Sequence, residues 1–198
     1  MMALEARTGV QLKDFVLQRI PPMDFSTLTF TLTYAALVSF LIYTINKPRL
    51  FILWMQAYCL LIIMRTLAIF FVSLEPPAGM ILLQDPVTIL FMSRPGGGYI
   101  VKDLFFSGHI SAIVLFILVA SNRKVKWFLG ILAISVSILL LVQHVHYTID
   151  IIAAPLFSLL AYKGSRFINR LVNIKTQMIP VPVELNPNGK LQGRERAS

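Results

Sequence analysis

Asp103-Leu-Phe-Phe-Ser-Gly-His109 and His144-Val-His-Tyr-Thr-Ile-Asp150 are two short polar stretches set at the ends of long apolar runs. Between them they hold all three histidines of the chain. Ionisable side chains at membrane depth are costly, so histidines and aspartates gathered at helix ends are a functional-site hypothesis by default. The reading of the rest of the chain follows from what surrounds these two stretches.

Outward from them, apolar runs cover residues 28–45, 50–74, 104–120, 125–142 and 147–162. A helix needs roughly 20 mostly apolar residues to cross a bilayer. The 198 residues are 57% hydrophobic and 14% charged, against about 45–50% and about 25% in a soluble domain. Mean hydropathy is +0.74. The expected fold is therefore all-α, a polytopic membrane helical bundle of about five transmembrane helices. The net charge of +9 comes from basic residues between and after the apolar runs. That pattern fits membrane flanks and argues against a nucleic-acid partner. Cys59 is the only cysteine, so no intrachain disulfide forms. No secretory signal is evident, because residues 1–20 are interrupted by Glu5, Arg7, Lys13, Asp14 and Arg19.

Three domain-level segments are expected. Residues 1–24 form an N-terminal segment in which Leu12, Phe15, Val16 and Ile20 fall at helical spacing. This reads as a short amphipathic helix on the membrane surface, ended by Pro21-Pro22, with a frayed terminus as the competing reading. Residues 25–165 are the transmembrane catalytic domain. Residues 166–198 are a basic, largely disordered tail. Within the middle segment, residues 80–92 are apolar but short and broken by Asp85-Pro86. They read as re-entrant or interfacial rather than spanning. The loop Ser93-Arg-Pro-Gly-Gly-Gly98 has no lysine at P-loop spacing.

With five spans, Lys47 and Arg49, the cluster Arg123–Lys126, and Lys163, Arg166, Arg170 and Lys175 share one face, which the positive-inside rule makes cytoplasmic. His109 and His146, two crossings apart, then share the opposite face. The protein is expected to be a multi-pass integral membrane protein with its polar site on the lumenal or extracytoplasmic side and its tail in the cytosol.

His146 and Asp150, four apart on one helix face, are neighbours. The carboxylate can fix the imidazole tautomer and leave the other ring nitrogen free as nucleophile or base; a satisfied polar pair locking two helices is the bland alternative. Ser107 is a natural N-cap, and Gly108 allows close backbone approach. The free N–H groups of the helix that follows would bind an anion, with His109 pointing into it. Arg65, the lone charge in its run, fits a structural ion pair or a phosphate contact equally well. Together, one histidine can attack phosphorus, one can protonate the leaving oxygen, and an aspartate can orient the first. A zinc site from His109, His144 and His146 is the competing reading. His144 and His146 are two apart, unlike the ligand spacings of a helical zinc site.

The motifs Asp103-x-x-x-Ser-Gly-His109 and His144-x-His-Tyr-Thr-x-Asp150 resemble the two signatures of the sphingomyelin synthase family, a branch of the type 2 phosphatidic acid phosphatase superfamily. Arg65-Thr, followed by Leu74-Glu-Pro-Pro-Ala-Gly79, is similar to a third family motif. The resemblance implies that His146 is the nucleophile, activated by Asp150, and that His109 acts on the leaving group. It implies transfer of a phosphocholine- or phosphoethanolamine-type headgroup from a glycerophospholipid to ceramide or a diacylglycerol-like lipid alcohol. The partners are then membrane lipids, with self-association left open, and no metal or other cofactor is implied. Asp103, Ser107, Gly108, Arg65, Tyr147 and His144 are the expected substrate-binding residues. Tyr99, Phe105, Phe106 and Tyr147 offer ring faces to a choline-type cation, with core packing as the alternative for the two phenylalanines.

The chain departs from the family at Val101-Lys102, where Cys-Gly is usual, and at Ile110, where Thr is usual. The usual members also have six spans and an N-terminal interaction domain. The phosphatase branch, whose members use the same histidines with water as acceptor, is the alternative enzyme. That branch places an arginine six residues before the nucleophilic histidine, where this chain has Leu140, and its Lys-x6-Arg-Pro motif meets Val87 seven before Arg94. Fewer cations favour a phosphodiester over a phosphomonoester dianion. A non-catalytic membrane transporter or assembly protein is the second alternative.

Overall fold

The computed structural model describes residues 9–72, 74–85 and 105–178. Among them the chain forms five α-helices: α1 (Ser26–Thr44), α2 (Pro48–Phe71), α3 (Gly108–Val119), α4 (Arg123–Val142) and α5 (Thr148–Met178). Two of the starts have a local cause. Pro48 stands in the first turn of α2, where a missing N–H costs nothing. Asn122 caps α4 by accepting from the N–H groups of Lys124 and Val125 at 2.8 and 3.4 Å.

Four of these helices are long and apolar enough to cross a membrane: Ser26–Thr44, Pro48–Phe71, Arg123–Val142 and Thr148–Val172. At 1.5 Å per residue α1, α2 and α4 reach about 28, 36 and 30 Å, against a hydrocarbon core of about 30 Å. Their outer faces carry large exposed apolar side chains, among them Ile42, Phe70, Ile131, Ile134, Ile152 and Leu156. In lipid that is the satisfied state for such residues.

The stretch 104–120 does not behave as a fifth long span. Its helix has 12 residues, about 18 Å, too short to cross alone. The reason lies at Phe106, whose φ of +28° is not helical. The helix therefore starts at Gly108, and its N-terminus sits below the bundle surface, beside Arg65 of α2.

Hydrogen bonds fix which ends meet. Tyr43 at the end of α1 bonds Ser121 at 2.7 Å, just before α4, and Ser165 of α5 bonds the carbonyl of Leu53 near the start of α2 at 3.4 Å. This end carries Lys47, Arg123, Lys124 and Lys163. At the other end Met23 N–H donates to Val142 O at 3.1 Å, and Ser107 N–H donates to Asp150 O at 3.2 Å. The segment 74–85 lies at this second end as well, since Ile81 N–H donates to Gln143 O at 3.1 Å and Tyr147 Oη to Glu75 O at 2.8 Å. The chain leaves α2 and enters α3 at the same end, so the α2–α3 connection returns without a net crossing. Of the stretch 80–92 expected to be re-entrant, residues 80–85 are non-helical and 86–92 lie outside the described residues.

The interior is built from rings and small residues. Phe40 stacks on Phe116 at 4.6 Å, and Trp54 adjoins both at 5.6 and 5.8 Å. Ala36, Ala57, Ala133, Ala154 and Ala161 are buried beside them, as small residues are where membrane helices approach closely. The Ser158 hydroxyl shares its one proton between Ala154 O at 2.7 Å in its own helix and Ser111 O at 3.0 Å across in α3.

In the described part of the N-terminal segment, residues 9–24, where an amphipathic α-helix was expected, the helical piece is one 3-10 turn, Leu17–Arg19, within a non-helical strap. The strap bridges Val10 to Leu74 in parallel, and Leu12 N–H donates to Tyr147 Oη at 3.2 Å. The chain divides after Arg166 into two compact units. In the second, residues 167–178 are helical, inside the stretch expected to be tail; residues 179–198 lie outside the described residues.

Candidate active site

Both motif stretches contain a non-glycine residue at positive φ, Phe106 at +28° and His144 at +56°. Each such residue costs on the order of 1–3 kcal/mol and persists only where its surroundings hold it. Phe106 is held by Phe157, stacked at 4.3 Å and 7°, and by Arg65 Nη1, which donates to its carbonyl. His144 is held through its ring, with Nδ1 3.0 Å from Ala78 O and Nε2 3.0 Å from Ile20 O. A neutral imidazole can donate to only one of these carbonyls; an imidazolium donates to both.

The twist at Phe106 releases the chain into α3. Ser107 occupies the N-cap position, but its side chain makes no capping bond, and its buried Oγ has no partner. The N-cap reading is corrected to that extent. Gly108 is needed for close approach: a Cβ there would stand 3.3 Å from Arg65 Cζ and 3.5 Å from Nε and Nη1. A guanidinium thus lies directly against a helix N-terminus, and the two favour the same kind of ligand, an anion.

α5 begins differently. Asp150, in its first turn, accepts from Tyr147 N–H through Oδ2 at 3.0 Å, the carboxylate half of a capping box. Asp14 of the strap accepts from Thr148 N–H at 2.7 Å and Thr148 Oγ1 at 3.1 Å. Burial pushes the Asp14 carboxyl up, but the bonds from Thr148, Val16 and Leu17 outweigh it and hold it below its ordinary value. His146 Nδ1 lies 3.6 Å from Asp150 Oδ2, an ion-pair distance longer than a hydrogen bond. Both residues are buried, and Asp150 Oδ1 has no hydrogen-bond partner.

A cavity of about 650 Å3 collects Arg65, Gly108, His109 and His146 on its walls. Edge-on to the His109 ring is Phe30, with centroids 5.6 Å apart. Among the described residues, Arg65 is the one lysine or arginine on the cavity wall. His144 and Tyr147 face elsewhere, onto a second cavity under the N-terminal strap. Tyr147 is packed with Leu17 and Leu74. Burial raises its hydroxyl above its ordinary pKa; the Leu12 N–H bond offsets this in part, and Asp150, Asp14 and Glu75 add to the rise. Of the rings expected to face a choline-type cation, Phe105 and Phe106 pack on Phe157, Phe105 also packs against the cluster that holds Tyr147, and Tyr99 and Asp103 fall outside the described residues.

Two groups of residues escaped the sequence analysis. Trp54, Tyr58 and Leu61 line the cavity with Arg65, and their 4-3-4 spacing, one helical stripe ending on the arginine, was a usable signal. Asp14 carries no such signal, because its partner Thr148 is distant in sequence.

Residues 102–165 match the family model described as PAP2 superfamily C-terminal. The match supports the type 2 phosphatidic acid phosphatase superfamily. It does not single out the sphingomyelin synthase branch. No curated protein and no solved structure matches the chain. The matched residues contain both motif stretches from Lys102 on, and members of the superfamily are phosphatases or phosphotransferases, which supports an enzyme.

Proposed function

We propose that this chain is a lipid phosphotransferase. It moves a phosphocholine- or phosphoethanolamine-type headgroup from a glycerophospholipid to ceramide or a similar lipid alcohol and releases diacylglycerol. The observation that carries the reading is the convergence of Arg65, His109 and His146 on one cavity, with Asp150 behind His146. His146 Nδ1–H faces the Asp150 carboxylate, so Nε2 keeps its lone pair and attacks phosphorus. The P–O bond to diacylglycerol breaks as His109 gives its proton to the departing oxygen. A phosphohistidine remains. The acceptor hydroxyl then attacks phosphorus, loses its proton to His109 and breaks the P–N bond, restoring Nε2. Arg65 and the N-terminus of α3 hold the phosphoryl oxygens, where charge builds in the transition state.

A single guanidinium on the cavity wall among the described residues suits the monoanion of a phosphodiester better than a phosphomonoester dianion. Leu140, where the phosphatase branch has an arginine, is fully buried in the apolar core. The positive-inside rule assigns the basic end to the cytoplasm and the histidine end to the lumenal or extracytoplasmic side.

The test is purified protein in detergent with headgroup-labelled phosphatidylcholine or phosphatidylethanolamine, with and without ceramide. Label in a ceramide product is the expected result. Inorganic phosphate released from phosphatidic acid, with no headgroup transfer, would make the chain a phosphatase. Full function of His146→Ala in the cell, with no turnover of any lipid by the native protein, would make it a non-catalytic membrane protein.

A further inference from the structure

Below the polar residues the cavity continues along α2, past Leu61 and Tyr58 to Trp54. From Arg65 to Trp54 the helix rises about 16 Å. One leaflet of the hydrocarbon core is about 15 Å deep. Nothing charged lines this lower part among the described residues; its walls are Leu37, Leu61, Ile113 and Phe116. The floor is aromatic and closed. Trp54 is 9% exposed and is wedged among Phe40, Tyr58 and Phe116 at 5.6, 5.7 and 5.8 Å. Ile62 both lines the cavity and is 46% exposed on α2.

We infer that this shaft takes one hydrocarbon chain of the lipid substrate, entering past Ile62, with its phosphate at Arg65 and its chain end against Trp54. Trp54 is then the residue that sets the longest chain accepted. The inference rests on the reading of a phosphate-ester lipid as substrate. It is supported by three independent matches: a cation and helix N-terminus at the top, an apolar shaft one leaflet deep, and a rigid floor. A pocket serving a small water-soluble phosphate has no use for the lower part.

Two tryptophans are present in the chain, and Trp127 is 65% exposed on α4. Trp127→Phe leaves Trp54 as the sole indole emitter. Its fluorescence is titrated in dodecyl maltoside with phosphatidylcholine brominated either at the chain end or near the glycerol. The expected result is at least about twofold stronger quenching by chain-end bromine, removed by Ala112→Phe, which fills the shaft one turn below His109. Equal quenching by both lipids overturns the inference, and that comparison needs no risky variant. A chain-length series adds a kinetic readout. Each methylene beyond the floor should cost roughly tenfold in kcat/KM, and Trp54→Ala should move that fall to longer chains. A fall unmoved in folded Trp54→Ala protein also overturns it. Position-dependent quenching in a protein that turns over no lipid would leave the shaft standing and remove the proposed reaction; turnover with equal quenching would do the reverse.

Discussion

α3 and α5 each begin at a histidine-bearing stretch, at the same end of the bundle, yet their N-termini are finished in opposite ways. The first turn of α5 is closed by carboxylates: Asp150 takes Tyr147 N–H and Asp14 takes Thr148 N–H. Ser107 offers no side-chain cap to α3, whose N-terminus faces the Arg65 guanidinium instead. An anion is repelled from the first and attracted to the second. The difference divides the labour between two otherwise similar histidines. In the proposed reaction His146, with an acid behind it, makes the nucleophilic attack, and His109 serves the phosphoryl group and leaving oxygen.

The comparison breaks most visibly at Asp150. Asp150→Asn still accepts a hydrogen bond from Tyr147 N–H, so the cap survives. It cannot hold His146 in the attacking tautomer, and activity should fall about 10^3–10^4-fold with little change in melting temperature. Loss of activity only in proportion to loss of stability would reduce Asp150 to a capping residue. His146→Ala should be at least as severe and should abolish any trapped phosphoprotein.

On the α3 side the effects should be smaller. His109→Ala is expected to cost about 10^2–10^4-fold, and less with a donor whose leaving group is a better one, because such a group needs no proton. Arg65→Lys keeps the charge and loses the fork that reaches Phe106 O; about 10^2-fold in kcat/KM is expected. Gly108→Ala pushes on the guanidinium from 3.3 Å and should cost about tenfold by displacing it a few tenths of an ångström. If Gly108→Ala proved worse than Arg65→Lys, backbone approach rather than the guanidinium would be the dominant anion contact.

How much of this was legible in the sequence follows from which interactions are local. The long helices could be read from run length, and the shared end of His109 and His146 from counting crossings. The shortness of α3 could not be read: residues 104–107 are as apolar as a helix needs, and what stops the helix is the tertiary seat of Phe106 on Phe157 and Arg65. Arg65 left two readings open because it bonds a backbone carbonyl, that of Phe106, which no sequence pattern marks. In the strap, Leu12, Phe15, Val16 and Ile20 mimic a helix period over too few residues to discriminate. Phe15 is in fact 77% exposed, and the turn there is set by Asp14 accepting from Val16 and Leu17 N–H.

Asp14 gives the smallest and cleanest expected effect. As an external cap on α5 it should contribute about 0.5–2 kcal/mol, lost in Asp14→Ala. Its carboxyl is held below the ordinary value of 3.8. A depressed carboxyl stabilises the fold fully above the unfolded value and loses that contribution as pH falls through the folded one. The melting temperatures of native protein and Asp14→Ala in detergent should therefore stay apart from neutral pH down to about 4 and converge only below that. Turnover should fall less than tenfold, since Asp150 still caps α5. Convergence already at pH 6 would mean that the Asp14 carboxylate is not what holds the strap to α5.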